Sequence, residues 1–179
     1  MNTALKHYEQ IALSNKQILK LLDGKANIIL YPEIINFNSL DEILEPYGSC
    51  IILFESKPNF GHWCALNKIN SNLVEFFNPY GGYPDDSLSM ISMEFRIKSN
   101  QLHPYLSILM MDSPYELSYN EHKFQKKGNS INTCGRHCVV RTLFKNLNLK
   151  QYTELINLLC YEFDLNPDGL VTLLTAYIN

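Results

Sequence analysis

Residues 50–77, CIILFESKPNFGHWCALNKINSNLVEFF, decide the fold. They hold three apolar runs of strand length: Cys50 to Phe54, Trp63 to Leu66, and Leu73 to Phe77. Asn67 to Asn72, between the last two, is polar enough for a hairpin turn. Upstream, Leu5, Tyr8, Ile11, Ala12, Ile18, Leu19 and Leu22 recur at helical spacing, which predicts a helix over 4–22 stopped at Asp23-Gly24. Ile28 to Tyr31 is a short apolar run ended by Pro32. Ser39-Leu40-Asp41-Glu42 resembles a capping box before a short helix that ends at Pro46.

Downstream, Asn78-Pro79-Tyr80-Gly81-Gly82 opens a loop. Residues 85–98 read as a helix and Tyr105 to Met111 as a further strand. A polar loop from Gly128 to Thr133 leads into a helix beginning at Cys134, with Val140, Leu143, Phe144 and Leu147 as its buried face. Two helices follow at about 150–163 and 167–178, the second capped by Asn166 with Pro167 at its first position. Helix, then strands, then helices predicts a single α+β domain over 1–179: a mixed, mainly antiparallel sheet clasped by helices, and not an alternating doubly wound fold.

Composition bounds the function classes. The chain has 179 residues, 46% hydrophobic and 18% charged, which suits one substantial core. A formal charge of −3, with only Lys126-Lys127 adjacent among the basic residues, argues against a nucleic-acid-binding domain. Nucleic acid is therefore not expected as a required partner. Five widely spaced cysteines, an N-terminus too polar for a signal peptide and the absence of a long apolar run predict a reducing, intracellular or virion-interior setting without a membrane.

The chemistry concentrates in Thr133-Cys134-Gly135-Arg136-His137-Cys138 and Gly61-His62-Trp63. A cysteine at a helix start meets unsatisfied N–H donors, which favour thiolate. Gly135 beside it leaves room for a substrate backbone. His62 heads one strand-like run and Asn78 ends the next, so nucleophile, base and orienting group are all present. Cys50, Cys64, Cys138 and Cys160 read as packing residues. His62 also has a plainer reading, as a polar residue on the outer face of a strand. His7, His103 and His122 read as surface residues. His137 reads as a solvated helix position or, with Cys134 and Cys138, as part of a zinc site lacking a second ligand pair.

Gly61-His62-Trp63, then Phe76-Phe77-Asn78-Pro79-Tyr80-Gly81, then Gln125 and Cys134-Gly135, in that order, resemble the adenovirus-type (adenain) cysteine proteases, which share a clan with the Ulp1-like SUMO proteases. The resemblance covers roughly residues 50–145. It is nearest to the viral branch, the virophage (mavirus-like) and Polinton-type maturation proteases.

The resemblance implies a papain-like site in permuted order, with Cys134 as nucleophile, His62 as base and Asn78 orienting the imidazole. Gln125 would donate to the oxyanion, Trp63 would wall the cleft, and no metal or cofactor would be needed. Two departures stand out. Asn78 replaces the family's usual acidic residue, and Gln125 lies nine residues before Cys134, a longer interval than usual, so Asn129 or Asn132 is the alternative donor. The implied activity is an endopeptidase, acting as a monomer in the virion interior or the host viral factory. It would cleave capsid or core precursors after small residues, often at Gly-Gly sites. The alternatives are an isopeptidase acting on host ubiquitin-like modifiers, an acetyltransferase built on the same triad, and a non-catalytic zinc or interaction module.

Overall fold

The computed structural model describes residues 3–128 and 130–176. Its centre is a five-stranded sheet in sequence order: β1 (Asn27–Leu30), β2 (Ser49–Lys57), β3 (Phe60–Lys68), β4 (Leu73–Phe77) and β5 (Glu116–Tyr119). β2–β3 and β3–β4 pair antiparallel, while β1–β2 and β4–β5 pair parallel. The fold is α+β with a mixed sheet flanked by helices.

Both sheet faces are covered, which explains why β2 reads as an unbroken apolar run. Successive residues point to opposite faces, so Ile51 and Leu53 join one core with Trp63, Ala65 and Phe77. Cys50, Ile52 and Phe54 join the other with Cys64, Leu66 and Phe76. The first core is closed by α2 (Asn15–Leu21), α6 (Cys134–Leu143), α7 (Leu149–Glu162) and α8 (Pro167–Thr175). Ile34, Ile43, Leu106 and Met110 close the second. Among the described residues no helix is long and apolar enough to cross a membrane.

Local capping reshapes several predicted elements. The helix predicted over 4–22 is two, α1 (Thr3–Glu9) and α2. Ser14 starts the second with a reciprocal capping box, its Oγ accepting the Gln17 N–H while its own N–H donates to Gln17 Oε1 at 2.9 Å. The stop at Asp23-Gly24 is present, with Gly24 left-handed at φ 67°. In α3 (Leu40–Leu44) the Ser39 Oγ accepts the Glu42 N–H, but the Glu42 carboxylate accepts from the Asn38 N–H instead, so only half a capping box forms. Residues 85–98 divide into a 3-10 turn (Asp86–Met90) and α4 (Met93–Lys98), which Ser92 caps.

One prediction of element type fails, and one strand is unannounced in the sequence. Tyr105–Met111 is a helix, α5, and not a strand, because burial falls on Leu106, Leu109 and Met110 at i, i+3 and i+4. A short apolar run does not reveal its period unaided. β5 has no apolar run to announce it, since Glu116 and Leu117 are exposed and pairing to β4 alone defines it.

The predicted face of α6 is also incomplete. Val140 is buried, but Leu143 is 56% and Phe144 38% exposed. Every residue from Cys134 to Thr142 is buried, because β3, α2 and α8 surround the helix. Residues 177 and 178 of the last predicted helix lie outside the described residues.

Candidate active site

His62 lies on β3, and Asn78 immediately follows β4. The antiparallel register pairs Ala65 with Phe77. Continued by a few residues, it brings Asn78 and Tyr80 alongside Cys64 and His62. Gly61 is required just before His62: an added Cβ would lie 1.9 Å from the Phe54 carbonyl oxygen, where β2 bulges.

The His62 ring is buried and stacks on Tyr80 at 4.4 Å with 9° between planes. Its Nε2 lies 2.9 Å from Asn78 Oδ1. That oxygen also accepts the Tyr80 backbone N–H at 3.0 Å, which fixes it as the acceptor end of the amide. His62 Nε2 must then carry the proton, leaving Nδ1 as the basic nitrogen. Asn120 holds Asn78 in place, its Oδ1 accepting the Asn78 N–H at 2.8 Å and its Nδ2 donating to the Asn78 carbonyl at 2.7 Å. Asn78 Nδ2 donates to Ser87 Oγ at 3.4 Å. The sequence gives no sign of Asn120 or Ser87, whose roles come from tertiary contact alone.

Cys134 begins α6 and shares a cavity of about 180 Å³ with His62, Tyr80, Gln125, Ile131 and Asn132. The predicted acidification of the thiol is not found. Burial pushes the Cys134 thiol up, and the backbone N–H groups of Trp63, Gly135 and Cys134 itself offset only part of the rise. Burial also drives His62 down to about 4, against the Asn78 hydrogen bond. At neutral pH the resting pair is therefore a neutral thiol beside a neutral imidazole.

This sets a pH dependence. Below about pH 4 His62 is protonated and cannot accept a proton, so a reaction in which His62 acts as base should show the acid limb of its kcat/KM near pH 4 and not near 6.5. A pH–rate profile checks this. Stability follows the same group. Between its ordinary 6.5 and about 4 the unfolded chain binds a proton that the folded chain refuses, so His62 lowers stability as pH falls through that window.

Gln125 is buried in the same cavity, its N–H donating to the Pro79 carbonyl at 2.9 Å. Its Nε2 makes one long bond, 3.4 Å to the Ile131 carbonyl, and its Oε1 has no partner. Asn132 is committed elsewhere: its Nδ2 donates to the Gln10 carbonyl at 2.7 Å and its N–H to the Glu9 carbonyl at 2.8 Å. Asn129 lies outside the described residues. Gln125 thus has the freer amide of the two described candidates. If Gln125 donates to an oxyanion, Gln125→Ala should lower kcat by about a hundredfold or more with little change in KM, and Asn132→Ala far less, as steady-state kinetics would show.

Trp63 and Gly135 sit differently from the prediction. Both are buried, and a Cβ on Gly135 would meet Trp63 Cδ1 at 3.1 Å and Ile18 Cδ1 at 3.3 Å. The glycine's smallness serves helix–sheet packing and opens no path for a substrate backbone. Trp63 borders a neighbouring cavity of about 370 Å³ together with Leu13 and Phe60, beside the one that holds Cys134.

His137 is buried and not solvated. It is 1% exposed, and its Nε2 lies 3.1 Å from Asp168 Oδ1. Burial lowers its pKa against that carboxylate, so it stays neutral. Among the described residues no three His, Cys, Asp or Glu side chains converge to hold a metal ion, which leaves the zinc alternative without a ligand set.

All five cysteines are free; Cys50, Cys64 and Cys138 are buried, and Cys160 is partly exposed. His7, His103 and His122 are exposed.

Fold and cavity together define an α+β protein with a thiol, an oriented imidazole and a spare amide at one site. No family model matches the chain. It is 51% identical over 171 residues to the uncharacterized protein V9 of Sputnik virophage, a match covering 96% of this chain and 98% of that one. The chain belongs to the family of that virophage protein. Solved structures similar to it include a protease of ASFV, at TM-score 0.45 and 14% identity over 79% of this chain. The chain spans 61% of that protease. The central domain of an uncharacterized Legionella pneumophila protein matches at TM-score 0.41 and 12% identity, over 92% of this chain and 94% of that one.

Proposed function

We propose that this chain is a cysteine endopeptidase of the adenovirus-type clan that cleaves viral capsid or core precursors after small residues during particle maturation. The observation that carries the reading is the His62 Nε2–H donated to Asn78 Oδ1, in the same cavity as a cysteine at a helix start. That bond leaves Nδ1 free to take the thiol proton. The Cys134 sulfur attacks the peptide carbonyl carbon while His62 accepts its proton, and Gln125 Nε2 and the Cys134 N–H face the oxyanion. The imidazolium then protonates the leaving amine as the C–N bond breaks. Water, deprotonated by His62, releases the acyl group and restores the thiol.

The chemistry needs no metal or cofactor, and a chain of charge −3 is poorly built to require DNA as activator. Membership of a family with a virophage protein supports a viral setting; particle precursors as substrates and the virion interior or viral factory as the place of action are part of the proposal. The small cavity suits small side chains beside the scissile bond.

The test is cleavage of capsid and core precursors by the purified chain, against ubiquitin-like C-terminal probes. Processing of the precursors that disappears in Cys134→Ala supports the proposal. Turnover of the modifier probes alone would move it to the isopeptidase reading, and Cys134-independent cleavage would overturn it.

A further inference from the structure

We propose that Asp168 is a positioning residue whose carboxylate holds the start of the Cys134 helix and the Gln125 segment at one spacing, and so sets the oxyanion site. The inference rests on the cysteine-peptidase reading above. Asp168 is 1% exposed, in the first turn of α8. Its Oδ1 accepts the Thr133 hydroxyl at 2.6 Å and lies 3.1 Å from His137 Nε2. Its Oδ2 accepts the Lys126 backbone N–H at 3.1 Å.

Thr133 precedes Cys134 and Lys126 follows Gln125, so one rigid carboxylate grips both segments that line the cavity. The covalent path between them is the loop 126–133, whose described residues form neither helix nor strand. Thr133, the cap residue of α6, makes no side-chain bond to its own helix, and its hydroxyl donates to Asp168. Burial pushes the Asp168 carboxyl up, but bonds from His137, Thr133 and the Lys126 N–H outweigh it and hold it below the ordinary range. The group is therefore a fixed acceptor at neutral pH. A displacement of about 1 Å between nucleophile and oxyanion donor costs turnover steeply while leaving the thiol itself intact.

The test compares Asp168→Ala, Asp168→Asn and Thr133→Val. It measures kcat and KM on a peptide that the wild type cleaves, and the rate of iodoacetamide alkylation at Cys134, which needs the thiol but no oxyanion donor. Asp168→Ala should lower kcat at least about thirtyfold, with KM and alkylation each within about threefold of wild type. Asp168→Asn should recover kcat to within about fivefold. Its amide oxygen can accept the Lys126 N–H, and its NH₂ can donate to Thr133 and to the other tautomer of His137. Thr133→Val, which removes one bond and little volume, should lower kcat about fivefold to tenfold and decides the matter if Asp168→Ala does not fold.

A kcat within twofold of wild type in Asp168→Ala or Thr133→Val overturns the proposal. So does a fall in turnover and alkylation together, in proportion to lost folded protein, in Thr133→Val. A wild type without Cys134-dependent turnover overturns the peptidase reading and this inference with it. An active wild type with a fully active Asp168→Ala overturns this inference alone.

Discussion

Cys134→Ala and His62→Ala are each expected to reduce kcat for peptide hydrolysis by about 10⁴-fold or more, and the double variant by little more than either alone. The non-additivity follows from the proton relay, because a thiol that starts neutral attacks only as His62 takes its proton. The same dependence should appear without substrate. Alkylation of Cys134 by iodoacetamide should slow in His62→Ala, whereas alkylation of Cys160, partly exposed on α7, should not. Asn78→Ala should cost less than His62→Ala, since it removes orientation but leaves a proton acceptor. Equal alkylation of Cys134 with and without His62 would show that the two residues do not act together. Both variants should keep their fold, because Cys134 contributes a small side chain and His62 sits at the cavity wall.

The parts of this arrangement that follow from local chemistry were legible in the sequence. The apolar runs of β2 and β3 and the Asn166 cap with Pro167 depend on residues near one another in the chain. What was not legible depends on partners far away. Asn120 is 42 residues from Asn78, and Asp168 is 35 from Thr133 and 42 from Lys126.

An aspartate in the first turn of a helix reads as ordinary compensation of the helix dipole, so nothing nearby marks Asp168 as a bridge. The acidic thiol was misjudged for a related reason. The helix start is visible in sequence, but the burial that overrides its dipole is not. Tyr105–Met111 failed because seven residues of apolar run fit two periods, and only packing against the second core chose between them.

Arg141→Met is expected to destabilise the protein by about 3–5 kcal/mol, read as a lower urea midpoint at unchanged m-value. Arg141 is fully buried on α6, two turns beyond Cys134. It grips Glu75 on β4 bidentately, with Nε to Oε1 and Nη2 to Oε2 both at 2.8 Å. Its remaining donors reach the Phe144 and Leu147 carbonyls at 2.7 and 2.9 Å, where α6 ends, and its guanidinium lies 4.9 Å over the Tyr152 ring.

Removing it leaves a buried carboxylate without a counter-charge and takes one donor each from the Phe144 and Leu147 carbonyls, the first of which keeps the Leu147 N–H at 3.0 Å; the unpaired carboxylate sets the size of the loss. Burial already pushes the Glu75 carboxyl up against the pull of Arg141. Without Arg141 the folded chain should hold that proton further above the ordinary 4.5, and stability should then fall as pH rises through the window where only the unfolded chain ionises. Replacing both residues, as Glu75→Leu with Arg141→Met, should destabilise less than Arg141→Met alone, since no unpaired charge remains. The pair matters to the site because Glu75 stands three residues before Asn78 and Arg141 seven after Cys134. The strand that presents the orienting amide and the helix that presents the thiol are clamped by a charge pair placed behind the cavity, out of reach of substrate. Turnover in the folded double variant should therefore fall with the slackened geometry while KM holds, and full kcat in that variant would show that packing alone keeps β4 and α6 in register.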